Sequence, residues 1–434
     1  MTAMAVVMAN MIGTGVFTSL GFQLVTIQSG FAILMLWLVG GLTALCGALC
    51  YAELGSTIPR SGGEYHFLTR IYHPAAGFTA GIISSTIGFA APVALAAMTF
   101  GTYGHTALGD APSFISPTSL ALSLIIILTI AHCWRRSSSG GTQTFFTLLK
   151  VVAILAFSLV LLIGHQQGAR LSLLPASGDL TAIFSGDFGV SLIYVSYAYA
   201  GWNAATYLTG ELANPQKSLP KILFAGTLIV TALYALLNAV FLWVAPISEM
   251  TGELEVGAIA AQSVFGPIGG RLTGGLLAFL LISTVSAMTI AGPRVLQVLG
   301  EDYQRLTPLS KTNSDGLPAR AIALQSGLSV LFVLTATFDQ ILVFAGFILA
   351  LNNFVTVFGL FVLRRREPGL ERPFRVPFYP LVPIVFLALN GWTLVFVAIS
   401  RPAEVLLASA VIILSVAIYW ILKTYPGKTE PSSQ

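Results

Sequence analysis

Two short glycine-containing clusters are the residues of this chain best suited to chemistry. The first is Ile12-Gly-Thr-Gly-Val-Phe17, and the second is Tyr197-Ala-Tyr-Ala-Gly-Trp-Asn203. Both lie within apolar runs, where glycine lets a helix open at small steric cost. An opened helix exposes backbone N–H groups at one end and carbonyl groups at the other, and these bind charged groups. The clusters therefore predict a site for a small charged molecule, although close packing of helices on small residues is the alternative.

The composition defines the environment of these clusters. The chain has 434 residues, of which 56% are hydrophobic and 9% are charged, and its mean hydropathy is +0.85. A soluble domain carries about 25% charged residues, so an ordinary cytosolic enzyme, a nucleic-acid-binding protein and a disordered scaffold are excluded. Continuous apolar runs also exclude a β-barrel, whose strands alternate. The sequence predicts an all-α polytopic membrane protein that has the lipid bilayer as its solvent.

Twelve apolar runs predict twelve transmembrane helices. They cover residues 3–26, 30–54, 75–105, 118–134, 144–164, 188–212, 221–245, 270–293, 319–336, 340–363, 378–399 and 403–422. The glycine clusters interrupt the first and sixth helices, and this arrangement is typical of transporters built from inverted repeats. We therefore expect a single transporter domain with a first five-helix repeat over 1–164, a second, inverted repeat over 186–363, two peripheral helices over 378–422 and a short tail over 423–434.

The distribution of basic residues orients the predicted bundle. If the N-terminus is cytoplasmic, only Arg170, Arg271 and Arg401 of the 21 basic residues lie on the outside. The other 18 lie in cytoplasmic loops, at cytoplasmic helix ends or in the C-terminal tail, as the positive-inside rule requires. We therefore expect a multi-pass protein of the cell membrane, inner or plasma, with both termini in the cytoplasm.

Three ionisable side chains fall within or at the ends of predicted spans. Lys150 lies about 9 Å into the fifth span at 1.5 Å per residue, from where it could extend to the cytoplasmic headgroups or into the bundle. Intramembrane charges are functional candidates by default, but Glu53 is better explained by an interfacial pair with Arg60 or Arg70. Glu211 ends the sixth span and could pair with a loop lysine.

Four segments resemble known signatures of the amino acid–polyamine–organocation superfamily, most closely its L-type amino-acid transporter branch. Tyr51-Ala-Glu-Leu-Gly-Ser-Thr-Ile-Pro-Arg-Ser-Gly-Gly-Glu-Tyr65 is similar to the segment between the second and third helices. The Tyr197–Asn203 cluster resembles the sixth-helix signature, and Glu211–Pro220 resembles the segment after it. Glu371–Pro377 is similar to the loop before the eleventh helix. The resemblance extends over nearly the whole chain.

This resemblance implies a LeuT-like fold of five helices plus five inverted helices, followed by two peripheral ones. It also implies that backbone N–H groups around Gly13, Thr14 and Gly15 bind the α-carboxylate of an amino acid. Carbonyls near Met11, Tyr197 and Ala200 are expected to bind its α-ammonium group. The implied substrate-binding residues are Met11, Ile12, Gly13, Thr14, Gly15, Tyr197, Ala198, Ala200, Trp202 and Asn203.

Further roles follow from the same resemblance. Lys150 matches a fifth-helix lysine thought to occupy the place of a sodium ion in sodium-coupled relatives, so it is the candidate coupling residue and sodium-independent transport is expected. Glu211 resembles a gate-forming acid. Ser283 and Ser286, with Thr284 between them, could extend from the eighth helix to the site, but such side chains in membrane helices most often bond their own backbone.

Three positions within the sixth-helix signature leave alternatives open. Ala200 stands where the L-type branch usually has Gly, and its methyl group could narrow the pocket toward smaller substrates. Trp202 could cap the substrate or simply pack. For Asn203, a hydrogen bond between helices is expected rather than a contact with substrate.

The predicted function is a secondary active transporter of neutral L-amino acids that works by alternating access, as an exchanger or a proton symporter. No acidic residue is expected near the two breaks, so a neutral substrate is favoured. Transport of polyamines or cationic amino acids is the alternative. A channel and a membrane enzyme are disfavoured, because neither pore-lining rings nor a metal or nucleophile constellation is present. No metal, cofactor or nucleic acid is expected. The loop from His105 to Thr118 lacks the cysteine by which animal members of the L-type branch bind a heavy subunit, so the resemblance implies no disulfide-linked heavy subunit.

Overall fold

The described part of the chain is helical and contains no strand. The computed structural model describes residues 3–59, 62–109, 112, 115–134, 140–165, 172–206, 214–313 and 316–423. In chain order its helices are α1 (Ala3–Met11), α2 (Gly15–Gln23), α3 (Gly30–Thr57), α4 (Glu64–Ile71), α5 (Pro74–Leu108), α6 (Pro117–Trp134), α7 (Gly140–Gly164), α8 (Asp179–Ile183), α9 (Gly186–Tyr199), α10 (Pro215–Val244), α11 (Ile247–Met250), α12 (Val256–Asp302), α13 (Thr307–Ser310), α14 (Ala319–Thr335), α15 (Phe338–Arg366), α16 (Leu381–Ser400) and α17 (Pro402–Lys423).

Nine helices within these residues are long and apolar enough to cross a membrane: α3, α5, α6, α7, α10, α12, α15, α16 and α17. The shorter α14 is also apolar. Their outward-facing Leu, Ile, Val and Phe side chains are exposed, as expected of surfaces that contact lipid. The prediction of an all-α polytopic membrane protein is confirmed, and the count of twelve spans stays a prediction.

Both glycine clusters interrupt their helices. The first predicted span is divided into α1 and α2, two helices of nine residues each, and residues 12–14 between them are not helical. In the sixth predicted span, α9 ends at Tyr199 and Ala200 is extended (φ −54°, ψ 139°). Gly201 follows with a φ of +104°, in the left-handed region that favours glycine. A 3₁₀ turn then covers residues 204–206.

Several predicted bounds differ from those observed. The span predicted over 270–293 belongs to a much longer helix, α12, which bends where Gly266 adopts a non-helical φ of 72°. Hydropathy identifies only the apolar part of a helix, whereas backbone hydrogen bonding continues into polar turns on either side. Hydropathy also did not predict α4, because this helix is short and amphipathic and forms no continuous apolar run.

The packing of these helices encloses the two interruptions. Helix α12 packs against α5 along an extensive interface, and α15 also packs against α5. Helix α1 lies against α7 and α10, while α2 lies against α9. The interrupted helices are therefore covered by α7 and α10 and face the wall formed by α5, α12 and α15.

Glu53 lies in a charge cluster at the end of α3 rather than in the pair predicted for it. Arg364 donates from Nε to Oε1 at 2.8 Å and from Nη2 to Oε2 at 2.5 Å, and the backbone N–H of Val376 donates to Oε2 at 2.7 Å. Nε of Arg372 adds a fourth contact, to Oε1 of Glu53 at 3.5 Å. Arg70 instead pairs with Glu367, and Arg60 lies outside the described residues. Glu53 thus joins α3 to α15 and to the loop before α16.

Candidate functional site

A cavity of about 90 Å³ lies between the two interruptions. This volume holds several water molecules, since one water needs about 10–15 Å³. Nine of the ten predicted substrate-binding residues line it, namely Met11, Gly13, Thr14, Gly15, Tyr197, Ala198, Ala200, Trp202 and Asn203. Ile12 is buried beside the cavity and does not line it. The residues that the sequence singles out are therefore brought together at one place.

The interrupted helices touch each other at two glycines. A Cβ atom on Gly15 would lie 2.6 Å from Cα of Ala198, so the start of α2 packs directly on the end of α9. A Cβ on Gly201 would lie 2.8 Å from the backbone of Asn10 in α1. Gly13 is different, because its nearest contact would be Cγ2 of Thr284 at 3.8 Å. Gly15 and Gly201 are thus required by close approach, whereas Gly13 borders open space.

Tyr234 of α10 ties the two helices together beneath these contacts. Its hydroxyl group lies 2.5 Å from the carbonyl oxygen of Met11 and 3.1 Å from that of Ala198. Tyr234 is fully buried and packs edge-on against Trp37. Sequence reasoning missed this residue, because a tyrosine within an apolar helix carries no signal for such a position.

Helix ends of opposite polarity meet at the cavity. The first N–H groups of α2 have no partner within their own helix, and none of the described residues accepts a hydrogen bond from the N–H of Thr14 or Gly15. Tyr197, Ala198 and Ala200 at the end of α9 line the same cavity, and the carbonyl of Ala200 accepts no hydrogen bond from a described residue. The α2 end carries about half a positive charge and the α9 end about half a negative charge. The cavity is therefore complementary to a small zwitterion.

Lys150 extends to the first interruption from α7. Its Nζ atom donates to the carbonyl of Ile12 at 3.2 Å and to Oγ1 of Thr284 at 2.7 Å. The side chain is buried, with 6% exposure. It therefore points into the bundle and not toward the headgroups, and it bridges the interruption between α1 and α2 to α12.

Glu64, at the start of α4, lies at the second interruption. Nδ2 of Asn203 donates to its Oε1 at 2.5 Å, and the hydroxyl group of Tyr51 lies 3.0 Å from the same oxygen. The Tyr51 hydroxyl also contacts Oδ1 of Asn353 at 2.8 Å. Glu64 is 1% exposed and lines the cavity. The expectation that no acidic residue lies near the two breaks is therefore wrong.

Similarity to known proteins identifies the family of the chain. The family profile described as "Amino acid permease" matches residues 1–422. The chain belongs to the amino acid permease family. The resemblance drawn from the four sequence segments is thereby confirmed, and so is the expectation that the protein is a secondary amino-acid transporter and not an enzyme.

Relatives of this permease include both bacterial and mammalian proteins. It is 28% identical to the serine/threonine exchanger SteT of Bacillus subtilis (strain 168), over 89% of the chain and 87% of that protein. It is 30% identical to the large neutral amino acids transporter small subunit 2 of Oryctolagus cuniculus, over 97% of the chain and 79% of that protein. It is 29% identical to the Asc-type amino acid transporter 1 of Mus musculus, over 97% of the chain and 80% of that protein.

Two residues of the sixth-helix signature, Trp202 and Asn203, line the cavity and also contact side chains of other elements. Trp202 lines the cavity, and its ring also packs edge-on against Tyr51 at 4.7 Å between centroids and against Phe386 at 6.5 Å. Asn203 donates the hydrogen bond to Glu64 described above. The sequence favoured a contact of this kind, between two elements of the protein, over a contact with substrate.

Other candidates lie away from the cavity of the permease. Ser283 donates to the carbonyl of Leu280 in its own helix at 2.7 Å, and Ser286 lies 2.9 Å from Nε2 of His132. Neither lines the cavity, whereas Thr284 between them does. Glu211 lies outside the described residues. Among the residues that are described, no group of three His, Cys, Asp or Glu side chains could hold a metal ion.

Proposed function

We propose that this permease carries neutral L-amino acids by sodium-independent alternating access through the cavity between its two interrupted helices. One observation carries the proposal: the N-terminus of α2 and the C-terminus of α9 meet at the Gly15–Ala198 contact. Free backbone donors and acceptors in one cavity match the carboxylate and ammonium groups common to all α-amino acids.

In this proposal the carboxylate accepts hydrogen bonds from the N–H groups of Thr14 and Gly15. The ammonium group donates first to the carbonyl of Ala200, which none of the described donors uses. Carbonyls of Met11 and Tyr197 already accept hydrogen bonds, from Tyr234 and Gly13 and from Ala200 respectively. A carbonyl oxygen has two lone pairs, so Tyr197 remains a secondary acceptor, whereas both lone pairs of the Met11 carbonyl are already used.

Lys150 is the proposed coupling residue. Its ammonium group contacts both the interruption and α12, so it supplies a fixed positive charge where a cation would otherwise be needed to join them. Transport then needs no sodium ion. Exchange is favoured over proton symport, since one of the relatives is named as an exchanger.

A neutral substrate of small or medium size fits the lining best. The cavity is small, Ala200 contributes a methyl group to it, and Glu64 is engaged by Asn203 and Tyr51. The names of relatives refer to serine, threonine and large neutral amino acids, which agrees with a neutral side chain.

Glu64 also favours a second candidate function, the transport of cationic amino acids. A buried carboxylate at the cavity could bind a second ammonium group if Asn203 and Tyr51 moved away from it. Glu64→Gln separates the two candidates: loss of lysine uptake with serine uptake retained would support the cationic one.

The proposed topology has both termini in the cytoplasm, because 18 of the 21 basic residues then lie on that side. We also propose that no heavy subunit is attached by a disulfide. All three cysteines lie in helices, with Cys46 and Cys50 buried in α3 and Cys133 near the cytoplasmic end of α6.

Uptake into sodium-free proteoliposomes tests the proposed function. Labelled L-serine would be offered outside, with and without trapped unlabelled serine and with and without a proton gradient, and protein-free liposomes would be the control. We expect uptake that depends on internal serine. Uptake driven by the gradient alone would replace exchange with proton symport, and no uptake of any neutral amino acid by folded protein would contradict the proposal.

A further inference from the structure

The end of α15 and the loop before α16 form a surface that is rich in arginine. Its five arginines are Arg364, Arg365, Arg366, Arg372 and Arg375. The loop lies against the helix, because the N–H of Val376 donates to the same Glu53 carboxylate that accepts from Arg364. The ring centroid of Tyr379 also lies 3.7 Å from Cζ of Arg364. The arginines of the helix and of the loop therefore belong to one surface, which we call the arginine surface.

Two of these arginines are not engaged by the protein. Arg364, Arg366 and Arg372 each donate to acceptors within it. Arg365 and Arg375 are exposed, and neither forms a hydrogen bond or an ion pair with any residue that the structure describes. Each of the two guanidinium groups therefore keeps all five of its N–H donors for a ligand.

The arginine surface keeps a net positive charge. Three carboxylates lie in or beside it, namely those of Glu53, Glu367 and Glu371. Glu53 is buried under Arg364, and Glu367 pairs with a sixth arginine, Arg70. The six arginines outnumber the three carboxylates by three, so the surface attracts an anion.

An exposed aromatic side chain borders the arginine surface. Phe378 follows Arg375 by three residues and is 82% exposed. Its φ of +52° is strained for a bulky residue, and strain of this kind is concentrated at functional sites. Its carbonyl accepts from the N–H of Leu381 at 2.7 Å, where exposed Leu381 and Ile384 begin the apolar face of α16. Phe378 therefore extends this face, which contacts lipid, to the level of the headgroups.

We propose that the arginine surface binds the headgroup of an anionic phospholipid. Arg365 and Arg375 donate to its phosphate oxygens, since a guanidinium binds phosphate through paired N–H groups, and Phe378 packs against its acyl chains. A phosphatidylcholine headgroup is a poorer ligand, because its quaternary ammonium group cancels the charge of the phosphate. The leaflet follows from the proposed topology, in which the surface faces the cytoplasmic side. Anionic lipids on that side attract basic segments next to the membrane.

Native mass spectrometry of the purified full chain tests this proposal. The protein in detergent would be titrated with dioleoyl phosphatidylglycerol or with dioleoyl phosphatidylcholine, and the bound lipid molecules would be counted. We expect phosphatidylglycerol to bind at least about fivefold more tightly. Arg365→Gln and Arg375→Gln should each weaken its binding about fivefold, the effect of one basic residue beside an anionic headgroup. Binding of phosphatidylcholine should not change.

A matched control and a folding check accompany these variants. Arg320→Gln removes an exposed cation at the start of α14, and no change in lipid binding is expected. Because Arg365 and Arg375 are exposed, thermal unfolding without added lipid should give the same midpoint for both variants as for the unaltered protein. Phosphatidylglycerol should raise that midpoint less in the double variant than in the unaltered protein.

Two further measurements distinguish a lipid from a soluble phosphate. Phe378→Asn removes the ring but keeps a residue that tolerates a positive φ, and it should weaken phosphatidylglycerol binding several-fold. Glycerol 1-phosphate carries the charge without acyl chains and should not displace the lipid. Displacement by glycerol 1-phosphate, with no effect of Phe378→Asn, would overturn the assignment to a lipid.

The proposal fails separately from the proposed function. Equal binding of the two lipids, or binding of phosphatidylglycerol that the double variant leaves unchanged, would overturn the arginine surface as a lipid site. Neither result bears on serine exchange, which is measured in liposomes of phosphatidylcholine alone. Loss of serine exchange by protein that still prefers phosphatidylglycerol would instead contradict the proposed function only.

Discussion

The interruption in the first helix and the interruption in the sixth helix are held by groups of opposite charge. At the first, Lys150 donates to the backbone carbonyl of Ile12 that the opened helix leaves without a partner. At the second, Glu64 accepts from the side-chain amide of Asn203. Both charged groups come from other helices, α7 and α4, and both are buried. At each interruption, one polar group is thus held by a charged side chain from another helix, while the N–H groups of Thr14 and Gly15 and the carbonyl of Ala200 have no partner among the described residues.

This comparison explains why the two regions differ in how readily they can be found in a sequence. A buried charge is costly unless it is hydrogen-bonded, so a lysine within an apolar run stands out. Glu64 follows two glycines in a polar stretch between spans, where an acid is unremarkable. Its role depends on α4, which turns it back into the bundle.

The largest effects are expected where the interrupted helices touch. Gly15→Ala places a Cβ 2.6 Å from Ala198, and Gly201→Ala places one against Asn10 at a φ of +104°. Each should reduce serine counterflow by at least about 100-fold or prevent folding, because backbone on both sides must shift. Gly13→Ala meets only a contact at 3.8 Å and is the matched control, expected to fold normally by size-exclusion chromatography. Normal counterflow by Gly15→Ala would show that the close contact is dispensable.

Removing the cation from the first interruption should have the next largest effect. Lys150→Ala leaves the Ile12 carbonyl and the Thr284 hydroxyl without their donor. We expect counterflow to fall at least about 10-fold, since each of the two lost hydrogen bonds to a charged group contributes roughly 1.5–3 kcal/mol. Lys423→Ala, at the exposed end of α17, is the control. Rates for Lys150→Ala equal to those of the unaltered protein would contradict the coupling role.

Neutralising the anion at the second interruption should have a smaller effect. Glu64→Gln keeps an oxygen that can accept from Asn203 and Tyr51 but loses the charge, and a neutral bond is about 1 kcal/mol weaker. Serine counterflow should therefore fall roughly fivefold. The exposed Glu301 offers a control in Glu301→Gln. An effect of Glu64→Gln as large as that of Lys150→Ala would mean that the two interruptions do not differ as described.

The smallest effect is expected at the exposed ion pair of Arg70 and Glu367. Arg70 lowers the pKa of Glu367 by hydrogen bonding and charge, so the pair stabilises the fold above the pKa of a free glutamate, about 4.3. That contribution is lost as the pH falls through the lowered value. Arg70→Ala should cost less than about 1 kcal/mol at neutral pH, measured by thermal unfolding in detergent. A larger loss would show that the packing of α4 against the end of α15 depends on this pair.

Glu53 provides the contrast for that measurement. Its carboxylate is 1% exposed, and its removal leaves Arg364 without its partner. Breaking a buried pair costs about 3–5 kcal/mol, so Glu53→Gln should destabilise the protein more than Arg70→Ala at neutral pH.

The sequence predicted the two interruptions and nine of the residues that line the cavity, because glycine clusters at matching places in two apolar runs are typical of opened helices. It did not predict the partners of side chains distant in the chain. Glu53 and Arg364 are 311 residues apart, and no local pattern links them. Ser283 and Ser286 were candidates by proximity alone, and their helix turns them away from the cavity. Tyr234 was missed because its hydroxyl group acts at a crossing of two other helices.

The central claim, that an amino acid binds between the two interruptions, is tested most directly by substrate protection of a thiol in the cavity. Ala200→Cys would be made together with Cys133→Ser, since Cys46 and Cys50 are buried. Its reaction with a small methanethiosulfonate reagent would be timed in sodium-free buffer with and without L-serine. We predict that serine slows the reaction several-fold and that added sodium changes nothing. An unchanged rate in protein that still exchanges serine would place the substrate elsewhere and contradict this account.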